Sequence, residues 1–287
     1  MRKAHTSLIK HTKAGLFSLL LLLFSGCAEN GKEGNYYSED GRIHPHFSIT
    51  RLQLEQIISG VNEKTKENIL KRSQYFLQLA EDALKLPEEI LWLVDKKHKL
   101  PSDYEPSDLV PLTCYPLKLN REDLYLRRIM MPDVLALNEA ARSDGVELVF
   151  SSTYRSYSYQ DTVYKRNVNK LGKERADRES AQPGTSQHQL GTTIDFGSID
   201  DTFCETEAGK WLFKNAHKYG FSLSYPEGLE EITGYRYECW HYRYISRTGS
   251  LLEQEFFEGV QQLFLEFWHE GKDALRKYLI TDTDRST

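Results

Sequence analysis

Cysteine is scarce in this chain, with four in 287 residues, at positions 27, 114, 204 and 239. Their spacing matches no zinc-knuckle pattern, and apart from Cys27 the remaining three allow at most one disulfide and leave one thiol over. No basic cluster is present either: Lys and Arg number 37 against 42 Asp and Glu, a net charge of −5. That balance argues against nucleic acid or an anionic lipid surface as the partner. There is no internal repeat and no low-complexity tract. Nor does the apolar stretch from Ala14 to Phe24, which includes the consecutive leucines Leu19 to Leu23, reach the ~20 residues that a membrane-spanning helix needs.

That stretch is preceded by Arg2, Lys3, Lys10 and Lys13 and followed by Ser25, Gly26 and Cys27. A basic head, a short apolar segment and small residues describe an export signal over 1–26. Cys27 stands where a bacterial lipoprotein signal places its lipidated cysteine, with Phe24 departing from the usual leucine. Processing there is expected to give an exported protein held in the bacterial cell envelope by acyl chains alone, on a polar linker. Without residues 1–26, 33 Lys and Arg face 42 Asp and Glu, and the net charge becomes −9.

The remainder, with 39% hydrophobic and 28% charged residues in the whole chain, has the composition of a globular protein long enough to bury a sizeable core. The expected division is a signal over 1–26, a linker over 27–45, a helical lead-in over 46–100, a catalytic core over 101–250 and C-terminal helices over 251–287. Apolar residues recur at helical spacing over 55–86, from Ile58 to Leu84, until Pro87 stops them. Three prolines make 100–111 an extended crossing loop. A helix over 124–142 should lead into a buried strand over 146–152, then a polar helix over 157–170 and a surface loop over 172–184. Further strands are expected over 192–196, 221–225 and 240–245, with a helix over 207–219 closed by Gly220. From Leu252 to Phe267 an apolar set marks one or two amphipathic helices. Few, short strands interrupted by helices predict an α+β fold with a small, mainly antiparallel sheet.

The chemistry concentrates in two places. His188 and Asp195 lie seven apart, too far for one helical face but suited to a turn followed by a strand, with Gly191 permitting the reversal. Glu238 and His241 are separated by two residues across a strand entrance, with Trp240 available to wall the site. Two imidazoles and a carboxylate can hold zinc and leave a position for water, and a carboxylate that is not a ligand can deprotonate that water. Taken singly, each cluster also suits a structural role.

Together with Ser152-Thr153-Tyr154-Arg155-Ser156 and Gln160, the segments Ser186 to Asp195 and Glu238 to Arg243 resemble the signatures of the zinc D-alanyl-D-alanine carboxypeptidases. This is the family of the vancomycin-resistance D,D-carboxypeptidases, grouped with the lysostaphin-type enzymes and the hedgehog signalling domain. The resemblance covers roughly residues 90–250. It implies a fold of that group, Zn2+ ligated by His188, Asp195 and His241, and Glu238 as general base. It further implies Arg155 as the cation facing the oxyanion, and Ser186 and Gln160 as polar contacts to substrate. Thr193 departs from the family's usual alanine. Cys239 lies between base and tryptophan, but strand alternation turns it away from Glu238 and makes it a buried structural thiol. Arg243 either supports the site from behind or forms a structural salt bridge. His217 and His269 lack partners at ligand spacing, and His44 and His46 are read as loop residues.

The implied activity is removal of the terminal D-alanine from peptidoglycan stem peptides or their precursors. Two alternatives stand beside it: an L,D- or D,L-endopeptidase acting on the same wall, and a wall-binding module that retains zinc without hydrolysis. Glu238 and Arg155 together argue against the last, since a purely structural zinc needs no base beside an open position.

Overall fold

In the computed structural model, which describes residues 41–280, the chain opens with a hairpin of β1 (Arg42–His44) and β2 (Phe47–Thr50). The expected export signal, Cys27 and the polar segment 28–39 lie outside the described residues. Residues 42–44, assigned to the linker by composition, are strand. His44 is therefore not a loop residue: it is 3% exposed and packs edge-on against Phe47. His46 does lie in the turn, where its Nδ1 is 2.7 Å from Glu81.

Three helices follow, α1 (Arg51–Ile57), α2 (Glu63–Lys71) and α3 (Ser73–Leu84). Thr50 and Gln53 form a capping box at the first, and the Asn62 side chain caps the second. The third ends before Pro87, whose ring disfavours helical geometry in the residue before it. After a 3-10 turn over Glu88–Leu91 the path through Pro101 and Pro106 is irregular, as its prolines require, until β3 (Leu109–Pro111). The two-residue β4 (Lys118–Leu119) comes next, and then β5 (Tyr125–Arg127) pairs antiparallel with β3.

That pairing corrects the helix expected over 124–142. Residues 125–127 are taken by the strand, and α4 (Met131–Ser143) starts only where Pro132 enters its first turn, a position proline favours. Next come β6 (Val149–Ser152) and α5 (Tyr157–Leu171), the latter capped by the Ser156 side chain. The surface loop expected over 172–184 contains a helix, α6 (Lys173–Glu179). Its support is i,i+4 ion pairing, Lys173 with Asp177 and Arg175 with Glu179, a signal invisible to apolar periodicity.

The chain continues through β7 (Thr193–Phe196), α7 (Glu207–Asn215), β8 (Phe221–Leu223), the short α8 (Glu230–Thr233) and β9 (His241–Tyr244). Gly220, with φ +83°, closes the segment after α7 as expected. Two C-terminal helices follow, α9 (Ser246–Phe256) and α10 (Gln261–Tyr278), the first beginning ahead of the expected 251.

The central sheet has the order β4-β6-β7-β9-β8, and only the β4–β6 pair is parallel. The fold is thus α+β with a small, mainly antiparallel sheet. Along β7 and β9, Ile194, Phe196, Tyr242 and Tyr244 turn to one face, where Phe196 packs between Phe150 and Tyr242 at ring distances of 5.1 and 5.9 Å. Each such buried side chain contributes about 1.5–3 kcal/mol. The alternate residues Thr193, Asp195, His241 and Arg243 face the other way. Register places Ser152 opposite Asp195, and Asp195 opposite His241, so one row across three strands carries the polar groups of the site.

Candidate active site

His188 reaches this row from a 3-10 turn over Gln187–Leu190 that Gly191 terminates in the left-handed region, φ +68°. A Cβ on Gly191 would lie 2.9 Å from Leu109 and 3.2 Å from Arg127, so both the backbone angle and the packing favour glycine. The return strand begins two residues later and delivers Asp195. Glu238 precedes β9 in a turn whose His241 amide donates to the Glu238 carbonyl at 3.1 Å.

The ligand atoms of His188, Asp195 and His241 all lie within 4.8 Å of one another, and the three residues are 2, 2 and 4% exposed. His188 Nδ1 is 2.6 Å from the Thr153 carbonyl, which must accept a proton from it, so Nε2 carries a lone pair toward Asp195 Oδ2 at 3.1 Å. His241 Nε2 faces Gln187 Oε1 at 3.2 Å and donates to it. Its Nδ1 therefore also presents a lone pair, 3.1 Å from Asp195 Oδ1. That oxygen is buried and has no hydrogen-bond partner. Lone pairs from two nitrogens and a carboxylate converging in a buried space fit a cation, and two neutral imidazoles with one carboxylate suit Zn2+ with a position left open.

The charges agree with this arrangement. Burial, with the Arg155 cation, pushes the His188 imidazole down to about 4, so it stays neutral as a ligand must. Glu238 is moved the other way, up to about 8, by burial and by the Asp195 charge. Its Oε2 is 3.5 Å from His241 Nδ1.

Arg155 Nη2 donates to Asp195 Oδ2 at 2.9 Å and lies 3.0 Å from His188 Nε2. Ser152 Oγ accepts from its Nε and Nη2, and Gln160 Oε1 accepts from Nη1 at 3.1 Å. Both the oxygen and the nitrogen of the Gln160 amide are thus engaged, since Nε2 donates to the Ala181 carbonyl at 2.7 Å. It is 1% exposed and does not line the cleft, which corrects its expected contact with substrate: it holds Arg155 instead. Ser186 does line the cleft. So do the three metal-ligating candidates, Arg155, Glu238 and Trp240, around a volume of about 370 Å³.

Arg243 forms no salt bridge among the described residues and acts on the site from behind. Fully buried, it donates from Nη2 to the carbonyls of Ile90 and Trp92 at 3.0 and 2.7 Å, tying the lead-in to β9 without a carboxylate. Cys239 is buried as expected, its thiol pushed up to about 12 by burial and by the neighbouring Cys204 thiol. The Thr193 hydroxyl is buried without a partner. His217 and His269 lie outside the cleft. Sequence reasoning missed Thr153, which acts through its carbonyl and leaves no side-chain signal, and Tyr225, whose ring packs on His241 at 4.7 Å. It also missed Gln187, although this residue lies inside the motif between Ser186 and His188.

Comparison with known proteins bears on the same residues. Residues 123–247 match the VanY family model, described as D-alanyl-D-alanine carboxypeptidase. The protein YodJ of Bacillus subtilis (strain 168) is 35% identical over 271 residues, covering 87% of this chain and 96% of that protein. Among solved structures, the LdcB LD-carboxypeptidase is similar with a TM-score of 0.57 and 34% identity, over 65% of this chain and 88% of the other. The vancomycin-resistance D,D-pentapeptidase VanY, solved with Zn(II), is similar with a TM-score of 0.51 and 28% identity, over 62% and 99%. By these matches, the chain belongs to the D-alanyl-D-alanine carboxypeptidase family of zinc metallopeptidases.

Proposed function

We propose that the protein is a D,D-carboxypeptidase that removes the terminal D-alanine from peptidoglycan stem peptides, with His188, Asp195 and His241 as zinc ligands and Glu238 as general base. The observation that carries this reading is the placement of Glu238, on the cleft wall beside the three converging donors yet not one of them. Bound zinc supplies Lewis-acid polarisation of the scissile carbonyl and acidifies water. Glu238 accepts the proton of the attacking water and returns it to the leaving amine, a role suited to a carboxylate on the cleft wall beside the metal donors. Arg155, held by Ser152 and Gln160, supplies preorganised positive charge for the developing oxyanion, worth ~3–4 kcal/mol by analogy with oxyanion-hole donors. Ser186 offers its hydroxyl to the substrate backbone from the cleft wall.

A second reading, L,D-carboxypeptidase activity, is favoured by the likeness to LdcB and would use the same chemistry one residue further into the stem. Mass-spectrometric product analysis separates the two. Zinc-dependent, chelator-sensitive loss of one alanine from a pentapeptide stem supports the D,D reading, and loss of alanine from a tetrapeptide supports the L,D reading. Cleavage inside the stem overturns both in favour of an endopeptidase, and no cleavage favours a binding module. Export and lipid anchoring through Cys27 belong to the same proposal, supported by Ser25-Gly26-Cys27 after the apolar segment. Fatty-acid labelling that survives Cys27→Ser would refute the anchor.

A further inference from the structure

Behind His241, away from the cleft, lies a chain of buried amides that none of the signature motifs describes. Gln187 Oε1, which faces His241 Nε2 at 3.2 Å, also accepts from the Ser224 hydroxyl at 2.7 Å. Gln187 Nε2 donates to Gln261 Oε1 at 3.0 Å. Gln261 Nε2 in turn donates to Ser224 Oγ at 3.2 Å and to the backbone carbonyl of Ser222 at 3.4 Å. Gln187, Ser224 and Gln261 are 3, 2 and 2% exposed, so no bulk water competes for these bonds.

The polarity of such a chain is decided by its one member that cannot be turned around. Either amide could be rotated to exchange oxygen and nitrogen, and the network must settle which is right. The Ser222 carbonyl accepts only. Gln261 must therefore present its nitrogen there, and hence its oxygen to Gln187. Gln187 must then offer nitrogen to Gln261 and oxygen to His241. An imidazole facing an oxygen at Nε2 has to carry its proton there, which leaves Nδ1 bare toward Asp195, on the metal side. Reversing both amides would set the Gln261 and Ser222 oxygens against each other in a buried space, an unmade hydrogen bond costing roughly 1–3 kcal/mol.

We infer that Gln187 and Gln261 are positioning residues that fix the tautomer and orientation of His241, making the first turn of α10 a functional part of the metal site. This rests on the reading of His241 as a zinc ligand. It gives the C-terminal helices a role beyond covering the core: the β8 backbone carbonyl dictates, through two side chains from distant parts of the chain, which nitrogen of His241 meets the metal.

The test is zinc affinity, measured by competition with a chromophoric chelator on the purified protein, together with the absorption spectrum of the cobalt-substituted form. Gln187→Met and Gln261→Met should each weaken zinc binding, the former by about 10–100-fold, and should alter the cobalt spectrum. Gln187→Glu, which retains an acceptor toward His241 but loses the donor toward Gln261, should bind zinc more tightly than Gln187→Met. Wild-type affinity in Gln187→Met, or equal losses in Gln187→Met and Gln187→Glu, overturns the inference. Independently of any variant's folding, nitrogen NMR of the metal-free wild type should show His241 protonated at Nε2, and protonation at Nδ1 overturns it. His241→Ala in the same titration keeps the two readings apart: if it binds zinc normally, the ligand assignment itself has failed.

Discussion

Replacing Glu253 by Gln should stabilise the protein by an amount that grows with pH. Glu253, on α9, is 1% exposed, its Oε1 accepts from the Ser222 hydroxyl at 2.8 Å, and its Oε2 has no partner. Burial pushes its pKa up to about 8 from 4.5. Below pH 4.5 both folded and unfolded chains carry the proton, and the group costs nothing electrostatically. Between 4.5 and 8 the unfolded chain has released the proton while the folded one retains it, so stability falls as pH rises. At about 1.4 kcal/mol per pH unit, the accumulated loss is roughly 3 kcal/mol at pH 7 and approaches roughly 5 kcal/mol above pH 8. Glutamine retains the shape and the acceptor but never ionises, so the variant escapes the loss. Urea unfolding of wild type and Glu253→Gln at pH 5 and pH 8 measures the effect, and pH-dependent zinc binding, common to both proteins, cancels in the difference. A stability difference that is the same at both pH values would refute the assignment of Glu253 as a buried, protonated acid.

Two further results are expected. Glu238→Gln should lower hydrolysis by roughly 10²–10⁴-fold while zinc stoichiometry stays near one, whereas His188→Ala should lose the metal; metal loss in the former, or full retention in the latter, contradicts the roles assigned. Gly191→Ala should lower Tm, because the left-handed angle costs a side-chain-bearing residue about 1–2 kcal/mol and its Cβ would press on Leu109 at 2.9 Å. An unchanged Tm and zinc affinity there would show that the turn has another way to close.

How much the sequence discloses depends on the kind of signal involved. The strands carrying Asp195 and His241 announce themselves by β-branched and aromatic alternation, and the helix after Ser156 by its polar cap and length. The helix over Lys173–Glu179 does not, because ion pairs rather than an apolar stripe support it. Tyr125–Arg127 read as the start of a helix because the strand they pair with, Leu109–Pro111, lies in a segment whose prolines suggest only a loop. Gln160 is legible as a member of the site but its role is not, since its amide oxygen holds Arg155 while its nitrogen is tied to the Ala181 carbonyl, which only three-dimensional partners can show.

The proposed ligand set follows from register more than from spacing. Asp195 and His241 become neighbours only because β7 and β9 pair Thr193 with Arg243 and Asp195 with His241. A slip of one residue would turn the carboxylate into the face occupied by Phe196 and Tyr242, and would lose the metal site and the core together. Two features hold that register. On one side, aromatic packing of Phe150, Phe196 and Tyr242 rewards only the observed alternation. On the other, the buried Arg243 guanidinium must reach the Ile90 and Trp92 carbonyls, the only bonds it makes among the described residues. Relocating it would leave Nη2 unmet as well, beside the buried Nε and Nη1 that already lack partners. The helical lead-in that supplies those carbonyls therefore belongs to the catalytic machinery in a mechanical sense: it locks the strand on which His241 is mounted, as Gln187 and Gln261 set the direction in which the imidazole points.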